Sequence, residues 1–315
     1  MDEVSSKAFF LVGPTASGKS AVCQYIAEQT GRMILSADSM NLYRGMDIGT
    51  AKPTPAERER VEYAGIDLAE PTEKFSVAAY LEAVKPVLKS GRDLIVTGGT
   101  GLYVKCLTEG FDDVPPENEA LRAELETLSF HLLEKRARRD APALYEELTT
   151  DDRQNPRRLI RILEKAAAGA TEPNGQDGGP GNGRWNSHPR PTIVGLRMKR
   201  EEQLRRIEQR VESMYAAGLL DEALELMGRN LSATARQAIG YAEAFEVLDH
   251  KISLDEARQR TVVRTRQLAK RQMTWFRNQL QVEWIDTAQF PSNEALAEAV
   301  VCEWDRLGPT PLVFN

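Results

Sequence analysis

The fold is decided by the stretch Phe9-Phe10-Leu11-Val12-Gly13-Pro14-Thr15-Ala16-Ser17-Gly18-Lys19-Ser20. Its first four residues are an apolar run typical of a buried strand, and the residues after Ser20 are apolar at helical spacing. The pattern between them, GxxxxGK[ST], is that of a P-loop, in which backbone N–H groups and a helix N-terminus face a phosphate. The stretch therefore predicts a strand, a phosphate-binding loop and a helix, in that order.

The last two residues of this loop bring side-chain chemistry to the site. The ammonium group of Lys19 is expected to reach the terminal phosphate oxygens, and the Ser20 hydroxyl is expected to join the shell of a Mg²⁺ ion shared with the ligand. A P-loop alone does not distinguish a nucleotide kinase, an NTPase and a transferase that uses another phosphorylated donor. The rest of the chain has to decide among them.

Further apolar runs follow at residues 33–35, 94–96 and 192–196, with helical patterns between them, notably at residues 77–89. Strands that alternate with helices indicate a parallel sheet whose ligands bind at the carboxyl ends of the strands. We therefore predict an α/β P-loop fold of three layers, with a central parallel sheet, a mostly helical insertion and a helical C-terminal part.

The domain organisation follows from changes in composition along the chain. Residues 1–113 are predicted to form the first part of the P-loop core, residues 114–150 the helical insertion, and residues 151–315 the remainder of the core with the C-terminal helices. The segment 171–191 is crowded with Gly, Pro and Asn and can bury little, so we expect a flexible loop there.

Composition excludes several classes of protein. The 315 residues carry a net charge of −6, which argues against indiscriminate binding to nucleic acid, so any RNA site has to be local. No run approaches the ~20 apolar residues of a membrane span, and the first residues lack an apolar signal core. Three cysteines without a CxxC pair suggest neither disulfides nor zinc. We expect a cytoplasmic monomer without a membrane partner.

Asp38 is the candidate general base. It follows the apolar run at residues 33–37, so it is expected at the carboxyl end of a strand beside the P-loop. The alternative is that Asp38 caps the residues that follow it. An NTPase would show an acidic residue after another apolar strand, but residues 94–96 lead into Thr97-Gly98-Gly99-Thr100, which weakens that interpretation.

The string Asp38-Ser39-Met40-Asn41-Leu42-Tyr43-Arg44-Gly45-Met46-Asp47-Ile48-Gly49-Thr50-Ala51-Lys52-Pro53 closely resembles the signature of tRNA dimethylallyltransferases. Later segments resemble the same family in the same order. They are Gly98-Gly99-Thr100-Gly101-Leu102-Tyr103, Arg157-Arg158-Leu159-Ile160-Arg161, Arg210 with Met214 and Gly218 to Asp221, Arg236-Gln237-Ala238-Ile239-Gly240-Tyr241, and Lys270-Arg271-Gln272-Met273-Thr274-Trp275-Phe276-Arg277.

The resemblance implies an enzyme that transfers a dimethylallyl group from dimethylallyl diphosphate to the N6 amine of the tRNA adenosine immediately 3′ of the anticodon. Its partners would be that diphosphate and the tRNA anticodon stem-loop. The catalytic residues implied are Asp38 as the base, Thr100 and Arg210. The diphosphate-binding residues implied are Gly13, Pro14, Thr15, Ala16, Ser17, Gly18, Lys19 and Ser20, with Mg²⁺ as cofactor.

The resemblance also assigns residues to tRNA. Those implied to contact it are Asp38, Ser39, Met40, Asn41, Thr100, Arg122, Arg157, Arg158, Leu159, Ile160, Arg161, Arg236, Gln237, Ala238, Ile239, Gly240, Tyr241, Lys270, Arg271, Gln272, Met273, Thr274, Trp275, Phe276 and Arg277. Independently of the resemblance, the predicted helix at residues 255–277 carries two basic rows at helical spacing, and we expect them to face an RNA backbone. The rows are Arg260, Arg264 and Arg271, and Arg266, Lys270 and Arg277.

Two other functions remain open from the residues alone. A nucleotide or small-molecule kinase would use the P-loop for ATP and Asp38 to activate a hydroxyl, but it leaves the basic helical half unexplained. A non-catalytic RNA-binding protein with a nucleoside triphosphate switch would leave Asp38 without a role.

Overall fold

The computed structural model describes residues 6–110, 118–169 and 190–313. Within these ranges six strands form a single sheet in the order β3-β2-β4-β1-β5-β6, and every pair of neighbours is parallel. The strands are β1 (Ala8–Val12), β2 (Met33–Ser36), β3 (Tyr63–Ala64), β4 (Leu94–Gly98), β5 (Thr192–Arg197) and β6 (Gln281–Asp286). The central parallel sheet predicted from the sequence is confirmed.

Helices occupy most of the remaining described residues. In chain order they are α1 (Lys19–Thr30), α2 (Pro55–Arg60), α3 (Val77–Leu88), α4 (Gly101–Glu109), α5 (Glu119–Glu126), α6 (Phe130–Asp140), α7 (Pro142–Glu146), α8 (Thr150–Arg153), α9 (Pro156–Ala167), α10 (Arg200–Ala216), α11 (Leu219–Met227), α12 (Ala233–Arg236), α13 (Tyr241–Leu248), α14 (Leu254–Gln279) and α15 (Asn293–Leu307). A short 3₁₀ helix lies at Thr287–Gln289. None of the helices in the described ranges is long and apolar enough to cross a membrane.

Helices cover both faces of the sheet. Successive side chains of a strand point to opposite faces, so each face contributes apolar residues to a different cluster. In β1, Phe10 and Val12 enter one hydrophobic cluster together with residues of α3, α4 and α10 to α14, whereas Phe9 and Leu11 enter a second cluster with residues of α1 and α15. Alternating side chains that are buried on both faces are typical of parallel sheets flanked by helices. The result is the three-layer fold that the sequence predicts.

The chain divides into two compact units. One contains the described residues up to Thr108 and those from Arg190 onward, and it holds the whole sheet. The other begins at Glu109 and contains α5 to α9, whose apolar residues, such as Leu133 and Ile162, form a cluster of their own. This helical unit is wider than the insertion predicted at residues 114–150, because α8 and α9 belong to it. The predicted flexible loop at residues 171–191 lies outside the described residues, except for Arg190 and Pro191.

Several boundaries differ from those expected. The helical pattern at residues 236–248 is interrupted, because Gly240 takes a left-handed φ of 93° between α12 and α13. The pattern at residues 119–138 is divided where Ser129 adopts an extended conformation before α6. β6 and α15 carried too little signal to be predicted. β6 lies at the edge of the sheet, where Gln281 and Glu283 are exposed.

Trp304 fastens α15 to the sheet. Its indole is 2% exposed, packs 5.6 Å from the ring of Phe9 and donates a hydrogen bond of 2.9 Å to the Phe10 carbonyl. We predict that Trp304→Ala lowers the free energy of unfolding by about 3–5 kcal/mol, because it opens a cavity and leaves that carbonyl without its partner. Chemical denaturation measures this change. Cys302→Ala, at an exposed position of the same helix, is the control and should change stability by less than about 0.5 kcal/mol.

Candidate active site

The P-loop joins β1 to α1 and has the conformation of an anion-binding loop. Ala16 has a left-handed φ of 64°, which is rare for a residue with a side chain, and Gly18 at the N-cap of α1 has a φ of 92°. No side chain caps α1. Left-handed residues in such a loop aim successive backbone N–H groups toward one point, and an uncapped helix N-terminus adds its own. The P-loop can therefore bind a phosphate or diphosphate group through its backbone.

The loops after β2 and β4 lie next to the P-loop because these strands are neighbours in the sheet. The Ala37 N–H donates to the Thr97 carbonyl at 2.7 Å, and the Thr100 N–H donates to the Ala37 carbonyl at 3.2 Å. A Cβ atom on Gly98 would lie 2.1 Å from the Ala37 carbonyl oxygen. Only glycine permits this approach of two backbones, so Gly98 fixes the distance between the two loops.

Asp38 stands at the carboxyl end of β2, as predicted. One carboxylate oxygen, Oδ1, accepts a hydrogen bond of 3.0 Å from the Met40 N–H, which forms an Asx turn rather than a helix cap, since the next helix begins at Pro55. The other oxygen, Oδ2, has no hydrogen-bond partner among the described residues, and a Cβ atom built on Gly99 would lie 3.5 Å from it. The Asx turn and base chemistry are therefore compatible, because each uses a different oxygen.

Thr100 holds the loop that carries Asp38. Its Oγ1 accepts a hydrogen bond of 2.9 Å from the Ser39 N–H and lies 3.1 Å from the Ser39 Oγ. The hydroxyl of Thr100 is thus engaged with the residue next to the candidate base. This geometry gives Thr100 an effect on the orientation of Asp38.

Two cations share the electrostatic environment of Asp38. Burial lowers the pKa of Lys19 to about 8; the negative charge of Asp38 raises this pKa, and the positive charge of Arg210 on α10 lowers it. Burial also lowers the pKa of the Arg210 guanidinium from its usual range, and Asp38 again opposes the shift. Two cations partly removed from water beside one carboxylate make a site that favours an anionic ligand.

A cavity of about 740 Å³ borders Arg210. Much of its wall is apolar and comes from the loop before α2 and from α10, including Ile48, Pro53 and Met214. The Arg210 guanidinium also donates to the Thr50 carbonyl at 3.4 Å, which ties α10 to that loop. A cation at the edge of an apolar cavity suits a ligand that joins an anionic group to an apolar chain.

α14 packs against the P-loop and the loop after β4. The Thr15 N–H donates to Oε1 of Gln272 at 2.8 Å, and Nε2 of Gln272 donates to the Gly99 carbonyl at 3.0 Å. One turn further along, Trp275 covers Gly101, where a Cβ atom would lie 2.0 Å from the indole. The glycines of the loop after β4 therefore make room for side chains of α14.

Glu222 on α11 organises the loop that follows Asp38. Its carboxylate accepts hydrogen bonds from the backbone N–H groups of residues 47–49 at 3.0 to 3.4 Å. The phenol of Tyr241 also donates to Glu222, and burial and the Glu222 charge raise the pKa of Tyr241, so this phenol stays protonated. An internal carboxylate thus fills a backbone nest that could otherwise take an external anion.

Several residues expected to contact tRNA are buried instead. These are Leu159 and Ile160 in the core of the helical unit, and Ala238, Gly240, Tyr241 and Phe276 in the larger unit. Their side chains pack the core, so the expectation that they face RNA is corrected. Spacing in the sequence could not separate them from their exposed neighbours.

Arg122 is also a structural residue in the helical unit. It forms a two-pronged ion pair with Glu164, whose side chain is fully buried, through two hydrogen bonds of 2.8 Å. Arg161 contacts the same carboxylate at 3.0 Å. The buried carboxylate needs these cations, because an unpaired buried charge is costly. In this structure Arg122 makes an internal ion pair, and its RNA contact stays a prediction.

Other expected tRNA residues are accessible. Ser39, Met40, Asn41, Arg158, Ile239 and Met273 are partly exposed, and Arg157, Arg236, Gln237 and Thr274 are exposed. On α14 the two basic rows differ in their pairing. Arg260 and Arg264 form ion pairs with glutamates of α13. On α14, all of whose residues the structure describes, the exposed cations without an ion-pair partner are Arg266, Lys270, Arg271 and Arg277.

Sequence reasoning missed Glu222, Gln203 and the inward role of Gln272. Gln203 on α10 donates to the Thr15 carbonyl at 3.1 Å. Each of these residues acts on a backbone group distant in sequence, so no local pattern marks it. The glycine-rich loop at Gly99 and Gly101 was a partial signal, since it indicated that other groups approach closely there.

Lys19 gives the site a pH dependence that binding alone can measure. A diphosphate prefers the protonated form of Lys19, so we predict that affinity for inorganic diphosphate falls as pH rises through about 8, the pKa of Lys19. Calorimetry on both sides of this pH measures the change. Lys19→Met is the control that isolates the ionisation of diphosphate itself. An equally steep fall in that variant would contradict the assignment to Lys19.

The sequence matches known proteins over most of its length. Residues 41–279 match the family model described as IPP transferase. A tRNA dimethylallyltransferase of Pelotomaculum thermopropionicum is 38% identical over 305 residues, which cover 92% of this chain and 94% of that protein. One of Thermomicrobium roseum is 39% identical over 309 residues, which cover 92% of this chain and 89% of that protein.

Solved structures agree with these relatives. The crystal structure of tRNA isopentenylpyrophosphate transferase from Bacillus halodurans is 32% identical, with a TM-score of 0.66, and covers 96% of this chain and 97% of its own. A eukaryotic dimethylallyltransferase described as acting on tRNA has the same fold, with a TM-score of 0.73 at 21% identity and coverage of 98% and 82%. The family predicted from the sequence resemblance is confirmed: the chain belongs to the IPP transferase family, that of the tRNA dimethylallyltransferases.

Proposed function

We propose that this chain transfers a dimethylallyl group from dimethylallyl diphosphate to the N6 amine of the tRNA adenosine immediately 3′ of the anticodon, and releases diphosphate. The observation that carries the proposal is the grouping of Asp38 with Lys19 and Arg210 beside a P-loop. Such a site combines a base for the acceptor with cations for the leaving group. The names of the relatives support the same substrates.

The reaction breaks the bond between the allylic carbon and the diphosphate oxygen, and the bonding electrons leave with the diphosphate. The adenine N6 forms the new bond to that carbon, and its surplus proton passes to Asp38. Asp38 suits this role because Oδ2 accepts no hydrogen bond from the described residues, while the Met40 N–H orients the carboxylate through Oδ1. A positioned general base contributes typically about 10²–10⁴-fold to a rate.

The leaving diphosphate gains negative charge, so its stabilisation should dominate the barrier. The P-loop N–H groups, Lys19 and Arg210 supply positive charge in a setting from which water is partly removed. Electrostatic attraction is stronger there than in bulk water.

Mg²⁺ fits this site as a cofactor held jointly with the substrate. Among the described residues no group of three His, Cys, Asp or Glu side chains could hold a metal ion by itself. Mg²⁺ commonly takes only one or two protein oxygens and completes its shell with phosphate and water. The exposed Ser20 hydroxyl, in the first turn of α1, can be that protein oxygen. When bound, the ion would neutralise charge on the diphosphate.

The acceptor base has to leave its stack before N6 can reach Asp38. Enzymes that act on a single base extrude it at a cost of a few kcal/mol, which favours loop nucleotides over paired ones. The unpaired cations of α14 support contact with the RNA backbone, and Arg157 offers a further exposed cation. A cytoplasmic location suits this substrate, and the monomeric state stays a prediction.

The kinase alternative has no specific support. β4 ends with Thr97 and Gly98 and so presents no acid at the strand end where an NTPase would hold magnesium. The relatives are named as transferases. We therefore retain the transferase as the one proposed function.

Asp38→Asn tests the proposed base. We expect transfer of label from dimethylallyl diphosphate to unmodified tRNA, with Mg²⁺ present, to fall about 10²–10⁴-fold, because the amide cannot accept the N6 proton. Binding of tRNA and of inorganic diphosphate should persist. Asp305→Asn, at an exposed position of α15, is the matched control. Wild-type protein that hydrolyses ATP briskly and transfers no prenyl group would overturn the proposed function.

Lys270→Ala and Arg277→Ala test the RNA-binding face. Each should weaken tRNA binding and reduce the slope of log affinity against log salt by about 1, because one phosphate contact is lost. Fluorescence anisotropy at several salt concentrations measures this slope. Arg260→Ala is the control, since Arg260 is already paired with Glu246 and Glu256. An equal loss of slope in the control would contradict the assignment.

A further inference from the structure

We propose that Gln272 is a positioning residue that sets the spacing between the phosphate loop and the base, an inference that rests on the proposed function. Its side-chain amide joins the P-loop to the loop after β4. Oε1 accepts from the Thr15 N–H at 2.8 Å, and Nε2 donates to the Gly99 carbonyl at 3.0 Å. Gln272 therefore acts inward, although neighbouring residues of α14 face solvent.

Thr15 is held through its backbone N–H and through its backbone carbonyl. Gln272 takes its N–H, and Gln203 of α10 donates to its carbonyl at 3.1 Å. Thr15 is itself 8% exposed. Two glutamines from separate helices thus fix one residue of the phosphate loop, which locates any diphosphate bound there.

At its other end the Gln272 amide donates to the Gly99 carbonyl, and Thr100 and Ser39 connect Gly99 with Asp38. Gly99 precedes Thr100, and Thr100 receives the Ser39 N–H at 2.9 Å. Ser39 follows Asp38 directly. The hydrogen bonds of Gln272 and that of Thr100 with Ser39, joined by the peptide bond between Gly99 and Thr100, therefore connect the loop for the leaving group with the loop for the base.

Close packing adds a second observation. A Cβ atom on Gly99 would lie 2.2 Å from Nε2 of Gln272, while its distance to Asp38 Oδ2, 3.5 Å, would be an ordinary contact. The glycine at this position accommodates the Gln272 amide. Gly99 also has no left-handed φ, so alanine can adopt its backbone conformation. Gly99→Ala is therefore a way to displace the Gln272 side chain without changing it.

The spacing matters because the acceptor nitrogen and the allylic carbon have to meet at reacting distance. A misplacement of about 1 Å can cost roughly 10²-fold in rate. Both hydrogen bonds of the Gln272 amide go to backbone groups of the two loops. Its loss should lower kcat and leave the affinity for tRNA unchanged.

The test compares Gln272→Met, which keeps the length and packing of the side chain, with wild type in the prenyl-transfer assay. We expect kcat to fall roughly 10–100-fold with unchanged KM for tRNA, and thermal stability to fall modestly, because the Thr15 N–H and the Gly99 carbonyl each lose a partner. Gln272→Glu keeps an acceptor for the Thr15 N–H but sets a carboxylate oxygen against the Gly99 carbonyl, so it should lose at least as much. Gln267→Met, at an exposed position of α14, is the control and should match wild type.

Gly99→Ala tests the same link independently, because it displaces the Gln272 side chain without changing that residue. It should reproduce the fall in kcat of Gln272→Met, and the double variant should be no worse than either single variant, because both changes break the same link. A merely structural role would give additive losses.

Transfer by Gln272→Met at the wild-type rate would overturn the inference, as would a rise in KM for tRNA at unchanged kcat. Tighter binding of inorganic diphosphate by Gln272→Met would also overturn the inference. It would mean that the Gln272 amide competes with diphosphate for the backbone N–H groups of the P-loop. Absence of transfer by wild type would instead overturn the proposed function.

Discussion

The contact of two backbones at the carboxyl edge of the sheet is the constraint on which the site depends. β2 and β4 are parallel neighbours, so the loops that leave them emerge side by side. At Gly98 these loops approach so closely that a Cβ atom would lie 2.1 Å from the Ala37 carbonyl oxygen. This approach sets Asp38 next to Thr100, and the adjacent β1 brings the P-loop to the same edge. The order of the parallel strands and the glycine at position 98 therefore bring the P-loop and Asp38 together.

Charge is concentrated at this edge by partial burial. Lys19 and Arg210 would be more stable in water, and their lowered pKa values express that cost. Asp38 offsets part of it in the ligand-free protein, and an anionic substrate can offset more. The same burial strengthens each interaction with a diphosphate whose charge grows as the reaction proceeds. A strained backbone at Ala16 belongs to this arrangement, since it aims N–H groups that a relaxed turn would direct elsewhere.

The family signature serves the fold as much as it serves recognition. Glu222 and Tyr241 hold the backbone of residues 47–49 rather than contacting a ligand. Gln272 and Trp275 fill the space that the glycines at 99 and 101 leave open. On α14 the inward residues dock the helix on the site, while Lys270 and Arg277 remain exposed on its outer side. One helix thus both braces the phosphate loop and offers cations to RNA.

The sequence by itself determined four of the six strands (β1, β2, β4 and β5), the P-loop and the place of Asp38, because each depends on a local pattern: apolar runs, a glycine-rich turn before a helix, and an acid after a strand. It predicted α14 to within two residues at each end, since a long amphipathic pattern is also local. It did not determine which cations form ion pairs. Arg122 and Arg260 are paired, unlike Lys270, because the fold brings carboxylates next to them. The inward faces of Tyr241 and Gln272 were decided by tertiary structure alone. Burial and long-range hydrogen bonds join residues far apart in the chain, and spacing along the sequence carries no record of such contacts.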